Sequence, residues 1–405
     1  MYSKRLLIIG AGAEQVPAYE VALKKGLKVV GSDINPDAQG FKFTDEKIIA
    51  STYDAQNSLQ EVVRFNRRNP IDGVMTLATD ATMTVALIAK ELGLNSISVN
   101  TAKLTTNKLV QLKRFRENGI PIPDYYEITS IDQLKRAIDA WGFPIVIKPP
   151  DNNGAKGVLR LTNEVDVEWA FEESVSHSGT GTIIAEKYLN GYQISSESLV
   201  VNGKCFTAMY SGRNYEYLER FSPYIIENGG WLPADITDQE KHKLDEILQS
   251  VVDALEIKNG PLKGDIVLTE QGPVVIEFAS RMGGGYAVSH SIPLTHGINL
   301  VEQAIKLSIN ERINVRDLIP KYKQSAAIRY IFGKPGIVKE INGFEKLNQN
   351  GWIVLKKLYC NIGDTIEEVT SHTKRAGCLI AIGKDQQEAE ERVKKAINTV
   401  EIITE

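Results

Sequence analysis

Through the first hundred residues, short apolar runs alternate with amphipathic stretches. Segments 6–9, 28–30, 47–49, 73–77 and 96–99 predict strands, and 17–25, 57–68 and 81–92 predict helices. Apolar strands separated by single helices imply a parallel sheet wound by helices. The run Gly10-Ala11-Gly12-Ala13-Glu14-Gln15 follows the first strand and Asp33 ends the second, an arrangement a dinucleotide fold would use. Gln15 stands where a third glycine would allow close helix packing, so the expectation is a Rossmann-like unit without the dinucleotide. An NAD-dependent dehydrogenase would rest on Gly10, Gly12 and Asp33 alone.

The pattern changes after Thr101. A basic helix over 103–117 runs into Gly119-Ile-Pro121-Ile-Pro123, where the paired prolines mark a boundary. A compact β-and-α module follows, with elements at 133–141, 144–148, 158–161, 165–174 and 182–189. Mixed structure continues to about 310, and the tail from 324 carries short strands and a final charged helix over 386–399. Three units are expected, 1–105, 106–312 with a smaller piece at 124–190, and 313–405, in keeping with roughly 150 residues per domain.

Composition narrows the function classes. Forty-seven Lys and Arg against 51 Asp and Glu leave a net charge of −4, without the basic excess that drives nucleic-acid binding. The N-terminal apolar run stops after four residues at Gly10, too short for a signal peptide, and every longer run is interrupted well before the ~18 residues of a membrane span. The expectation is a soluble, cytoplasmic protein with neither nucleic acid nor membrane as a partner. Cys205, Cys360 and Cys378 lack CxxC spacing and predict free thiols.

Candidate chemistry gathers in the middle of the chain. Lys148 ends an otherwise apolar strand, where an ammonium must reach water or meet an anion. The following Asp151-Asn-Asn-Gly154-Ala-Lys156-Gly157 is a flexible cationic tip whose amides could close over phosphates, although it is no Walker A loop. Further on, 264–278 reads as a hairpin turning near Gln271-Gly272, which sets Asp265 opposite Glu277 with Cβ atoms roughly 5 Å apart. Such a pair, poorly solvated among Ile, Val and Leu, would repel and either raise a pKa or recruit a cation; hard oxygen ligands suit Mg²⁺ on nucleotide phosphates. Arg281 follows, before Met282-Gly283-Gly284-Gly285. No GxSxG motif appears, and none of the five histidines has a motif partner.

The order of these elements, with Lys108 on a helix ahead of them and Glu186-Lys187-Tyr188-Leu189 ending a strand between them, resembles the ATP-grasp superfamily over roughly residues 5–310. The resemblance implies an α/β ATP-grasp fold with an N-terminal Rossmann-like domain, a small α+β lid and a C-terminal α+β domain. It implies ATP and Mg²⁺ or Mn²⁺ as cofactors. Lys108, Lys148, Asp151, Gly154, Lys156 and Gly157 would handle the phosphates, Glu186, Lys187, Tyr188 and Leu189 the adenine, and Gln193 the ribose. Asp265 and Glu277 would hold the metal, and Arg281 with Lys156 would act on the reacting group. Arg213, Gly284, Gly285 and His290 are candidates for substrate contact.

In the tail, Phe332-Gly-Lys-Pro-Gly336, Gly363-Asp-Thr and Arg375-Ala-Gly377 look like the C-terminal domain of the L-amino-acid ligases, which couple a carboxylate to an amine. The expected partners are therefore a small carboxylate and an amine; a homodimer is compatible with the sequence but not required by it. Three positions depart from the family pattern. Gln193 replaces the glutamate that usually grips the ribose, Ala279 stands where many members have a metal-binding Asn, and Lys263 replaces a frequent His. The leading expectation is an ATP-dependent ligase acting through an acyl phosphate. The alternatives are a carboxylase-like or purine-pathway enzyme using carboxyphosphate and a non-catalytic ATP-binding module.

Overall fold

A computed structural model of the chain describes residues 3–405; Met1 and Tyr2, part of the N-terminal stretch weighed as a signal peptide, lie outside the described residues. The apolar runs of the first segment form four parallel strands, β1 (Arg5–Ile9), β2 (Lys28–Asp33), β3 (Glu46–Ile49) and β4 (Gly73–Met75), in the order β3-β2-β1-β4. All five residues of β1 are buried, as a central strand covered on both faces requires. Gln15 is buried too, and its side chain bonds the Leu77 amide and the Thr79 hydroxyl. Asp33 accepts from the Ala11 and Asn35 amides, so the acidic residue of the dinucleotide reading already has internal partners.

Two expectations fail locally. Segment 96–99 is not a strand; Ser98 accepts from the Thr101 amide and caps a helix, Val99–Thr106, because a serine at this position satisfies an orphan amide that a short apolar run cannot. The basic helix over 103–117 is two helices, broken at Asn107, whose extended backbone ends the first and whose side chain caps the second, Lys108–Glu117. Lys108 therefore sits at a helix start, with its amide donating to the Pro150 carbonyl.

The prolines 121 and 123 lead into a small antiparallel sheet, β5 (Tyr125–Ile128), β6 (Ile145–Lys148), β7 (Leu159–Leu161) and β8 (Ile183–Lys187), ordered β5-β8-β6-β7. Ile145, Ile147, Leu159, Leu161 and Ile183 form its core beneath two helices, Ile131–Trp141 and Val167–Ser176.

The remainder is built on β9 (Tyr192–Val201), β10 (Lys204–Arg213), β11 (Gly230–Leu232), β12 (Gly260–Thr269), β13 (Gly272–Ala279), β14 (Ser325–Ile331), β15 (Gly336–Asn342), β16 (Ile353–Leu358), β17 (Thr365–Ile366), β18 (Gly377–Gly383) and β19 (Glu401–Thr404). Eight of them make one antiparallel sheet, β13-β12-β9-β10-β11-β14-β18-β16, and β17-β15-β19 form a small one. The β11–β14 ladder joins the tail to the central region without a break. A continuous core also ties the first sheet to the large one, from Leu6 and Ile8 through Leu199 and Met282 to Leu300 and Ile305 on the helix Leu300–Ser308.

Candidate active site

Strands β12 and β13 turn through Glu270-Gln271, because Thr269 pairs with Gly272. A two-residue turn of this kind would set Asp265 against Ile276. The register shifts by one between Asp265 and Ile266, so Ile276 is a bulge and Asp265 pairs with Glu277. The burial of β13 alternates until this point, where Ile276 and Glu277 in succession are both partly exposed and both line the same cavity. The predicted facing of the two acids holds, through a bulge rather than through the turn position expected.

The acids are not a bare repelling pair. Asp265 Oδ2 lies 2.5 Å from Lys263 Nζ and 2.9 Å from Arg213 Nη1, and its Oδ1 accepts from the Ser195 hydroxyl at 3.1 Å. Glu277 lies 3.3 Å from Lys108 Nζ. Desolvation in the cleft opposes ionisation of Glu277, but Lys108, Lys263 and Lys148 outweigh it and hold its carboxyl well below the usual range. The cation called for by two facing carboxylates is thus supplied in part by the protein itself.

Lys148, at the end of β6, is buried, and its Nζ is 2.7 Å from Glu186 Oε1 on neighbouring β8, also buried. The β6–β8 ladder sets Val146 opposite Glu186 and Lys148 opposite Ile184, a register that brings the two charges together. Lys108 reaches the glycine tip as well, since Nζ donates to the Asn152 carbonyl at 2.5 Å. That tip is held from the far side by the tail, where the His372 amide donates to the Gly154 carbonyl at 3.0 Å.

Arg281 is ion-paired with Asp80, just beyond β4. The loop after it lies close to two carboxylates. The Gly283 amide donates to Glu197 Oε1 at 2.9 Å and the Gly285 amide to Glu14 Oε1 at 3.1 Å. A Cβ at Gly283 would stand 2.1 Å from Glu197 Oε1, and one at Gly284 2.5 Å from Glu14 Oε2, so glycine is required for this approach. Glu197, in the buried middle of β9, has its pKa pushed up to about 8 by burial, against the pull of Lys263 and Arg281.

These groups line one cavity of about 700 Å³, within the range of ligand pockets. Lys108, Lys148, Gly154, Lys156, Glu186, Lys187, Tyr188, Leu189, Gln193, Arg213, Asp265, Glu277, Arg281, Gly284 and Gly285 all lie on its wall. Three candidates do not. Asp151 points towards Gly179, and Gly157 is backed by His177 and Pro149. His290 bonds Ser289 and stacks edge-on to Tyr286, in a short π-helix of which Ala287, but not His290, lines the cavity. The sequence reading missed Glu14, Asp80, Glu197, Glu227, His372 and Arg375, which also line the wall. Of these, Arg375 figures in the sequence only as part of the tail motif, and Glu197 carries a weak signal as the one charge in a strand that ends in Leu199-Val-Val.

The donor set suits a hard divalent ion. Among the described residues no group of three or more His, Cys, Asp or Glu is placed to hold a metal. The chain offers the two facing carboxylates, Asp265 and Glu277, and leaves phosphate oxygens and water to complete a shell, as Mg²⁺ bound with a nucleotide requires.

Residues 106–285 match the phosphoribosylglycinamide synthetase ATP-grasp (A) domain, and residues 329–405 match L-amino acid ligase C-terminal domain 2. The L-arginine-specific L-amino acid ligase of Bacillus subtilis is 22% identical over 315 residues, covering 75% of this chain and 73% of that protein. The phosphoribosylamine–glycine ligase of Pyrococcus furiosus is 25% identical over 429 residues, covering 98% of this chain and 92% of that protein. In fold, the L-amino acid ligase from Bacillus licheniformis superposes with a TM-score of 0.84 at 20% identity, with all of both chains covered. The chain belongs to the ATP-grasp superfamily of ATP-dependent carboxylate–amine ligases and carries a C-terminal domain like that of the L-amino acid ligases.

Proposed function

We propose that the protein forms an amide bond between a small carboxylate and an amine through an acyl phosphate. The carboxylate oxygen attacks the γ-phosphorus of ATP and ADP leaves; the amine nitrogen then attacks the acyl carbon, phosphate leaves, and the ammonium proton is lost to solvent. The observation that carries this reading is the convergence of Lys108, Lys148, the 152–156 tip, the Asp265/Glu277 pair and Arg281 on one cavity.

In this reading Glu186 to Leu189 and Gln193 line the nucleoside end, and Lys108 and Lys148 meet the phosphates. The sheet β5–β8 acts as the lid, Lys156 reaching in from its tip. Asp265 and Glu277 hold a divalent ion, which supplies positive charge to phosphate oxygens. Arg281, oriented by Asp80, faces the reacting group, where a fixed guanidinium stabilises charge that develops on an oxyanion. The segments 1–105, 106–312 and 313–405 serve as acceptor-side, nucleotide and closing domains. Phosphate release across a matrix of amino acids with MgATP tests the reading; release at the no-substrate background throughout would sink it.

A second reading, a phosphoribosylamine–glycine ligase, is favoured by the match over 106–285 and by the Pyrococcus relative's cover of nearly the whole chain. Phosphate release that needs phosphoribosylamine besides glycine would select it.

A further inference from the structure

Two rows of side chains cross the large sheet beneath the cavity. Ser195, Asp265 and Glu277 form one, and Glu197, Lys263 and Ala279 the other, each set in register across β9, β12 and β13. Residues two apart on a strand share a face, so Ala279 lies beside Glu277 and Lys263 beside Asp265. Phosphoryl-transfer sites that use two divalent ions place them about 3.5–4 Å apart and need oxygen ligands for both. The second row provides few. Ala279 has no donor atom, Glu197 is buried with Oε1 held by the Gly283 amide and only Oε2 without a hydrogen bond, and between them stands an ammonium. Lys263 Nζ contacts Asp265 Oδ2, an oxygen it shares with Arg213.

We propose that Lys263 is a built-in cation that takes the place of one of two divalent ions, so that the chain binds a single divalent ion with its nucleotide. The inference rests on the ATP site proposed above and goes beyond it in fixing the ion count. A lysine in the second row is compatible with Ala279 opposite it, because an oxygen ligand there would serve an ion the ammonium excludes. A metal in that position would have to displace Lys263 from Asp265 and would face Arg213 on the same oxygen. Lys263 also supplies its charge without depending on the free metal concentration.

The test counts bound Mn²⁺ by electron paramagnetic resonance at saturating non-hydrolysable ATP analogue. One Mn²⁺ per chain is expected for the natural protein and for Ala279→Asn, in which Lys263 still holds Asp265. Two are expected for Lys263→Met/Ala279→Asn, which removes the ammonium and adds a ligand. Two in the natural protein, or one in a folded double variant that retains the analogue, would overturn the proposal. The count in the natural protein needs no variant, so a misfolded double variant does not remove the test. Absence of analogue binding to the natural protein would instead refute the ATP site itself, and with it the inference.

Discussion

Asp265 faces Glu277 because β13 carries one residue, Ile276, more than β12 can pair. Without the bulge the two-residue turn would put Glu277 opposite Gly264 and on the far side of the sheet. The two acids meet as members of a charge network with Lys108, Lys263 and Arg213, and the network decides what removing one of them does.

Glu277→Gln is expected to lower stability at pH 7, because Lys108 and Lys263 lose the charge that compensates them, and to cut turnover at least ~100-fold. The folded pKa of Glu277 is depressed, so its contribution is complete above the ordinary value of 4.5 and is lost as pH falls below it. Urea melts at pH 7 and pH 3.5 check the sign. The variant should be the weaker protein at pH 7 by a wider margin than at pH 3.5; a more stable variant at pH 7 would show that repulsion between the acids dominates.

Lys148→Ala removes the partner of a carboxylate that is itself buried, and stranding a buried charge typically costs about 3–5 kcal/mol. The single variant should therefore melt early as well as lose ATP affinity. Lys148→Met/Glu186→Gln should recover most of the melting temperature and none of the nucleotide affinity. Calorimetry with and without ATP separates the two, and a double variant that binds ATP normally would remove Lys148 from the phosphate site.

With its carboxyl pushed up to about 8 by burial, Glu197 is expected to hold a proton in the folded chain that the unfolded chain releases near 4.5. Folding stability therefore falls with rising pH across that window, by roughly 1.4 kcal/mol per pH unit relative to a variant without the proton. Glu197→Gln keeps an oxygen for the Gly283 amide and should close this difference. Paired melts at pH 5 and pH 8 should show the variant gaining on the natural protein; parallel curves would mean the acid is ionised throughout.

The glycine tip touches the tail through the His372 amide, and burial together with Arg375 and Arg213 keeps the His372 ring neutral. Nucleotide binding should raise hydrogen-exchange protection at 150–158 and around 370–376 together. Protection of the tip alone would show that the tail does not take part in closure.

Much of this was legible along the chain. Lys148 stands out because an apolar strand does not end in an ammonium without cause, and Asp265 and Glu277 because two acids flank one hairpin turn at nearly equal distances, although the Ile276 bulge that brings them opposite left no signal in the sequence. What the sequence could not show are pairings that depend on distant register. Glu186 meets Lys148 only through the β6–β8 ladder, and Glu14 and Asp80 reach Gly285 and Arg281 across more than two hundred residues. The break at Asn107 was readable, since an asparagine three residues before a paired amide is a cap signal, but helical periodicity outweighed it. His290 drew notice by its chemistry and by its place after a glycine run, and its pairing with Ser289 and Tyr286 instead of the cavity left no mark in composition.

The ladder between β11 and β14 bears on how the chain is made. During synthesis β11 leaves the ribosome with one edge satisfied by β10 and the other awaiting a strand that begins at Ser325, more than ninety residues later. An open edge is a site for wrong pairing, and the nascent chain limits the hazard by making this one only three residues long, Gly230–Leu232. The far wall of the cleft, with His372 and Arg375, arrives last of all. A ribosome-bound chain stopped short of β14 lacks Ile328, Tyr330, Tyr359, His372, Thr373 and Arg375 of the wall, so the cleft is completed only near the end of translation.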